Sequence, residues 1–177
     1  MQGSPAWLYD EFRGFALDFH DPHQVEHYEA RQGTDLEAET QLVRSLGISK
    51  KDTLIEYGAG TCAFVEAAAK ICRQVHAVDV SLAMIEFARQ RLRKLGLTNV
   101  AFHHAGFLTY EHRDEHASSV ITKFALHHLP DFWKVVALVR INRRCICPHV
   151  LAITFYGRRC AGELRKRNAT PLRLLPC

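Results

Sequence analysis

The residues best suited to chemistry in this sequence are two acids and two glycines at the ends of apolar runs. Gly58 and Gly60 follow the run TLIEY, and Glu56 stands two positions before the first of them. Asp79 ends a second run, QVHAVD. Glycines after a strand let a ligand approach the backbone, and the amides that open the next helix carry partial positive charge. This pattern predicts a nucleotide-containing ligand at a strand–loop–helix junction.

The spacing of GAGTCA leaves two kinds of ligand open. It fits the dinucleotide fingerprint G-x-G-x-x-A, with Asp79 where a ribose-binding acid is expected. Glu56, however, would face the pyrophosphate of a dinucleotide, and like charges in a cleft repel by several kcal/mol at an effective dielectric of about 20. S-adenosylmethionine instead carries a cationic ammonium and a cationic sulfonium. Glu56 therefore favours S-adenosylmethionine, and an NAD-binding Rossmann protein is the alternative.

An alternation of strands and helices must position these residues. Strands are predicted for TLIEY, QVHAVDV, NVAFHH, SSVITKF and VLAITFY, and helices for TCAFVEAAAKIC, SLAMIEFARQRLRKLG and about 131–144. Ser81 is the expected N-cap of the second helix. Five strands separated mostly by helices indicate an α/β fold, in which a parallel sheet is covered on both faces. Ligands of such sheets bind at the carboxyl ends of the strands.

The segment before this alternation predicts helical pieces that pack over the sheet. One helix is expected over about 35–46, with Thr34 and Glu37 as a capping box and Gly47 at its end. The residues before it mix aromatic and acidic side chains without a sustained period.

Length and composition bound the class of protein. The chain has 177 residues, 47% of them hydrophobic, which fits one globular domain. No run reaches the ~20 apolar residues of a membrane span, and the start lacks the pattern of a signal peptide, so we expect a cytoplasmic protein that does not enter a membrane. Six scattered cysteines predict reduced thiols. Neither the early histidines nor the C-x-C-x-H run completes a four-ligand pattern, so no metal site is predicted.

Charge is divided unevenly along the chain. Residues from 139 onward contain nine Arg or Lys and one acid, Glu163, whereas residues 1–138 hold the other 14 bases and 18 acids. A basic tail of this kind can bind nucleic acid. A non-catalytic nucleic-acid-binding module is therefore a second functional hypothesis, although it is not favoured.

Three blocks in order resemble class I S-adenosylmethionine-dependent methyltransferases of the type 11 group: IEYGAGTCAF, VHAVDVSLAMIEFAR and FALHHLPDFWKVVAL. The resemblance implies a Rossmann-like three-layer αβα sandwich with a mostly parallel sheet of order 3-2-1-4-5. It also implies an enzyme that transfers methyl from S-adenosylmethionine to a small-molecule acceptor. The chain then divides into an N-terminal helical cap segment, 1–49, a cofactor-binding methyltransferase domain, 50–156, and a basic divergent tail, 157–177.

The cofactor-binding residues implied by the resemblance follow the first three strands. Glu56 would hold the methionine end and Asp79 the ribose. Gly106 stands where the family usually has an acid that meets the adenine amino group, so an acid restored there is expected to strengthen binding. The full predicted set is Glu56, Gly58, Ala59, Gly60, Thr61, Asp79, Val80, Met84, Gly106 and Phe107.

No catalytic residue follows from these motifs. His127 and His128 lie after the fourth predicted strand and are the candidates for a base. Many members of the resembled family transfer methyl by proximity alone, because orientation supplies much of the acceleration.

The sequence departs from the family pattern in two places. Cys62 replaces the third glycine of the loop motif, which we expect to be a mild change. After Arg144, His149 and Val150 stand where paired glycines are expected, and no residues match the closing hairpin of strands six and seven. The pattern predicts a truncated or divergent ending, impaired methyl transfer, and self-association through an exposed strand-five edge.

Overall fold

A computed structural model describes residues 7–13, 21–32, 35–114, 116–144 and 151–154. The elements in chain order are α1 (Pro22–Gln32), α2 (Leu36–Ser45), β1 (Thr53–Tyr57), α3 (Ala63–Ala69), β2 (Gln74–Asp79), α4 (Leu82–Lys94), β3 (Val100–His104), β4 (Ser119–Lys123), a 3-10 helix (Leu126–His128), α5 (Asp131–Arg144) and β5 (Leu151–Thr154). None of the described helices has the length and apolarity needed to cross a membrane.

The five strands form one sheet in the order β3-β2-β1-β4-β5, and every pairing is parallel. This confirms the predicted order. Strand order reverses between β1 and β4, so the carboxyl ends of these two strands flank the crevice where ligands of such sheets bind. The predicted loss of a closing hairpin concerns residues outside the described ranges.

Side chains at the start of two helices explain where they begin. The carboxylate of Asp35 accepts a hydrogen bond of 3.0 Å from an amide in the first turn of α2. Asp35, rather than Thr34 of the predicted capping box, is therefore the N-cap. The hydroxyl of Ser81 accepts a 3.1 Å bond from an amide of α4, as predicted.

Two apolar cores cover the two faces of the sheet. On one face, Leu54 packs in a cluster with Phe64 and other residues of α2, α3 and α4. On the opposite face, Ile55 packs in a cluster with Ile141 of α5 and with residues of the β3–β4 connection. Adjacent residues of β1 thus point into different cores and are both buried, so the strand shows no alternation of buried and exposed positions.

The β3–β4 connection, residues 105–118, differs from the other crossovers. It returns from the edge strand β3 across β2 and β1 to reach β4, and its described residues form turns but no helix. Buried aromatic side chains fasten it to the sheet. Phe107 stacks on Tyr57 of β1 with ring centroids 5.0 Å apart, and Tyr110 meets the same ring edge-on at 5.7 Å.

Candidate functional site

A cavity opens at the carboxyl ends of β1 to β4, where strand order reverses. Most of the residues that the sequence singled out line it: Gly58, Gly60, Asp79, Val80, Met84, Gly106, Phe107 and His128. Four others do not: Glu56, Ala59, Thr61 and His127. The rest of the lining was not predicted and consists of Tyr9, Glu11, Tyr28, Ser81, Ala105, Lys123, Phe124, Ala125 and Leu129.

The glycine loop after β1 needs both of its glycines. Gly58 has φ of 69°, and a Cβ there would overlap the side chain of Ala125 in the loop after β4. Gly60 has φ of 53°, and a Cβ there would meet no atom within 4 Å. Gly58 therefore lets two loops pass each other closely, whereas Gly60 faces open space that a ligand can fill.

The residue in place of the third motif glycine is under backbone strain. Cys62 has φ of 64° and ψ of 34°, in the left-handed region, at the start of α3. An L-residue with a Cβ pays roughly 1–2 kcal/mol there, and glycine does not. The expectation of a mild change considered only the small size of the thiol, and the left-handed backbone contradicts it.

Asp79 ties the glycine loop to the end of β2. One carboxylate oxygen accepts a 2.8 Å bond from the amide of Gly60, and the other accepts a 2.8 Å bond from the amide of Ser81. Burial raises the pKa of Asp79, and these amide bonds oppose the rise. An ionised carboxylate has about four acceptor positions, so Asp79 can also accept hydrogen bonds from hydroxyl groups in the cavity.

Glu56, near the end of β1, lies outside the cavity lining. It is 3% exposed, and burial raises its pKa to about 8; Lys123 opposes the rise, while Glu39 and Asp79 add to it. Its Oε2 has no hydrogen-bond partner among the described residues. Burial therefore favours the protonated carboxyl group, whereas a cationic ligand group beside the unpartnered Oε2 would favour the ionised form.

Lys123 is a charge in the cavity that the sequence motifs did not indicate. It ends β4, lines the cavity and donates to both oxygens of the Glu39 carboxylate on α2. Because Glu39 neutralises it, Lys123 does not make the cavity strongly positive.

A carboxylate from the N-terminal segment occupies the place of the acid that is missing at position 106. A Cβ on Gly106 would overlap the carboxyl group of Glu11, which is 4% exposed. Glu11 accepts bonds of 3.0 and 3.1 Å from the amide of Leu108 and a bond of 2.6 Å from the hydroxyl of Thr109. Gly106→Asp would place its side chain where the Glu11 carboxyl group now lies, and the expectation that it strengthens binding stays a prediction.

Aromatic side chains form part of the cavity lining. Tyr9 belongs to the N-terminal segment and packs on Trp133 of α5 with ring centroids 6.3 Å apart. His128 lies at the end of the 3-10 helix, and burial, followed by the neighbouring His127, lowers its pKa. Phe124 has φ of 58°, a strained conformation for a bulky side chain. Tyr9, Phe124 and His128 all belong to the cavity lining.

The fold and this cavity together define a Rossmann-like methyltransferase domain. The family described as "Methyltransferase domain" matches residues 54–145, which is more than half of the chain. The chain therefore belongs to this family. No curated protein matches the sequence significantly.

Solved structures with the same fold have low sequence identity. A candidate S-adenosyl-L-methionine-dependent methyltransferase from Methanococcus maripaludis is 18% identical with a TM-score of 0.66, covering 78% of this chain and 65% of that one. An S-adenosylmethionine-dependent methyltransferase from Aquifex aeolicus is 22% identical with a TM-score of 0.62, covering 81% and 78%. Coclaurine N-methyltransferase, solved with N-methylheliamine and S-adenosylhomocysteine, is 22% identical with a TM-score of 0.58, covering 67% and 35%. The chain thus spans less than two thirds of two of these three proteins.

Proposed function

We propose that this protein binds S-adenosylmethionine and transfers its methyl group to a small-molecule acceptor. One observation carries the proposal: the buried Asp79 carboxylate stands at the wall of the cavity, held by loop amides, beside the open face of Gly60. Family membership supports it. Two similar proteins, coclaurine N-methyltransferase and DhpI, were solved with S-adenosylhomocysteine, the product of such a transfer.

The described residues suit the parts of this cofactor. Asp79 would accept hydrogen bonds from both ribose hydroxyls, and Met84 and Phe107 would pack against adenine. Glu11 would accept a hydrogen bond from the adenine amino group, because its carboxylate lines the cavity next to Gly106. Glu56 lies outside the cavity lining, and it would be the counter-ion of the methionine ammonium because a nearby cation favours the ionised carboxylate.

The bound cofactor supplies a methyl group on a sulfonium, which is already a good leaving group. The protein then has to orient the acceptor and exclude water, and orientation alone supplies much of the acceleration. Tyr9, Tyr28 and Phe124 favour an acceptor with an apolar or aromatic body. The lowered pKa of His128 keeps its ring neutral at pH 7, so it can take a proton from an acceptor amine or hydroxyl.

Calorimetry of the full chain with S-adenosylhomocysteine, S-adenosylmethionine and NAD tests the proposal. We expect saturable binding of the first two and no binding of NAD. Binding of NAD without either sulfur nucleoside would overturn it. Transfer of labelled methyl into small molecules of a cell extract then tests the acceptor class.

Other expectations from the sequence stay predictions. Nucleic-acid binding was assigned to the basic tail, residues 157–177, which lies outside the described ranges. The three-part domain division, the cytoplasmic location and self-association through β5 also await experiment. No feature of the described residues favours the nucleic-acid hypothesis over methyl transfer.

A further inference from the structure

A second group of side chains suited to chemistry lies at the opposite end of the sheet from the cavity. His76 of β2 and His112 and Asp114 of the β3–β4 connection each offer one ligand atom, and these atoms lie within 4.8 Å of one another. Nε2 of His76 is 3.9 Å from Oδ2 of Asp114. Two imidazoles and a carboxylate are ligands that Zn²⁺ accepts.

Partners behind the two histidines orient them. Nδ1 of His76 lies 3.0 Å from Nε2 of His103 on the neighbouring strand β3. Nδ1 of His112 lies 2.9 Å from the hydroxyl of Tyr110. The rings of His76 and His112 meet edge-on with centroids 4.7 Å apart. Metal-binding histidines usually have such a partner on the other ring nitrogen, because it fixes the tautomer and the direction of the ring.

We propose that His76, His112 and Asp114 form a zinc site that fastens the β3–β4 connection to β2. Bonds of about 2.0–2.2 Å in a tetrahedral site place ligand atoms roughly 3.3–3.6 Å apart. The present separations, all within 4.8 Å, therefore have to close by at most about 1.5 Å. Asp114 can make this movement, since its side chain is 69% exposed and belongs to a loop. A water molecule completes the coordination.

The choice of zinc follows from the ligand set. Mg²⁺ and Ca²⁺ prefer sites made wholly of oxygen ligands, and two imidazoles do not suit them. Zn²⁺ has no geometric preference from its d electrons, so it tolerates a site assembled from a strand and a loop. Arg73 lines the same surface opening, and its positive charge disfavours a cation there. The negative charge of Asp114, which lines the opening as well, offsets this repulsion.

The site would serve a structural need of this fold. A connection of more than about 12 residues without a helix is uncommon in a compact domain and usually has a function. This one carries Gly106 and Phe107 into the cofactor cavity and then crosses two strands. A metal at its far end would hold it in place where other crossovers have a packed helix.

Titration of the full-length, metal-free chain with Zn²⁺ tests the site. We expect His112→Ala and Asp114→Asn each to weaken one binding equivalent at least tenfold and the double variant to lose it. His116→Ala is the matched control, because His116 is exposed in the same connection and outside the group; its zinc binding should equal that of the original chain. Comparing variants with the original chain separates this equivalent from zinc bound by thiols elsewhere.

Two further measurements guard against misfolding of the variants. Tyr110→Phe removes only a hydroxyl behind His112 and should weaken the same equivalent several-fold. Co²⁺ in place of Zn²⁺ should give the visible absorption of a tetrahedral site in the original chain and in His116→Ala, but not in Asp114→Asn. Equal zinc affinity and stoichiometry in the original chain and the double variant would show adventitious binding and overturn the proposal.

Discussion

The substitution Gly106→Asp should destabilise the original chain but stabilise a chain that lacks the carboxylate of Glu11. In the original chain the carboxyl group of Glu11 fills the space beside Gly106. Gly106→Asp therefore adds a second carboxylate to an occupied site. In a Glu11→Ala background the same substitution puts an acid into vacant space, where a short side chain can accept the amide of Leu108 two residues further on.

The structure sets the magnitudes. Glu11→Ala leaves the Leu108 amide and the Thr109 hydroxyl without their carboxylate, and hydrogen bonds to charged groups contribute ~1.5–3 kcal/mol each. Because the cavity admits water, we expect a loss near the lower value, about 2 kcal/mol. Gly106→Asp alone should cost about 1–3 kcal/mol by overpacking. The double variant should be no less stable than either single variant, which requires a coupling of at least about 2 kcal/mol.

Affinity for S-adenosylhomocysteine should follow the same pattern. If Glu11 accepts the adenine amino group, each single variant should bind about tenfold more weakly, which corresponds to ~1.4 kcal/mol, and the double variant should recover most of the loss. Urea denaturation measures the first effect and calorimetry the second, with the exposed Glu86→Ala as a control. Additive losses in the double variant, or tighter binding by Gly106→Asp alone, would refute the reasoning.

Three other predictions concern the cavity. Burial raises the pKa of Glu56 from 4.5 to about 8, so its burial costs stability increasingly as pH rises from 4.5 to 8. Urea denaturation should therefore find Glu56→Gln more stable than the original chain at pH 7.5 but not at pH 4. Calorimetry should find that the same variant binds S-adenosylmethionine more weakly. Asp79→Asn should weaken S-adenosylhomocysteine binding at least tenfold by calorimetry, because a paired charge-assisted contact contributes ~1.5–3 kcal/mol, and the exposed Asp131→Asn should not. His128→Gln should lower the rate of methyl transfer in a labelled-cofactor assay and leave S-adenosylhomocysteine affinity unchanged; an unaltered rate would mean that proximity suffices.

Many features of the fold could be predicted from patterns of residues close in sequence. The positions of Gly58, Gly60 and Asp79 could be predicted because each depends on residues close in sequence: an apolar strand, the loop that follows it and the next helix cap. The sheet order pairs strands far apart in the chain, and it was predicted from the family resemblance. The backbone demand at Cys62 could not be predicted, since side-chain size says nothing about φ. Its left-handed conformation is imposed by the turn into α3.

Which face of a strand a residue occupies was harder to predict. Glu56 belongs to a strand that is buried on both sides, so no polar alternation shows where its carboxyl group points. In the structure it is buried outside the cavity lining, while Lys123, from the end of β4, reaches the lining. The sequence motif indicated an acid near the ligand, and burial raises the pKa of that acid.

Glu11 had no local signal at all, because it meets Leu108 across 97 positions of the chain. The only indication in the sequence was the missing acid at position 106. A buried amide at Leu108 still needs an acceptor, and an amino group in the cavity would need one too. Glu11 is that acceptor for the Leu108 amide. Here the N-terminal segment fills the place of the missing acid, so it belongs to the proposed binding site rather than to a lid over it.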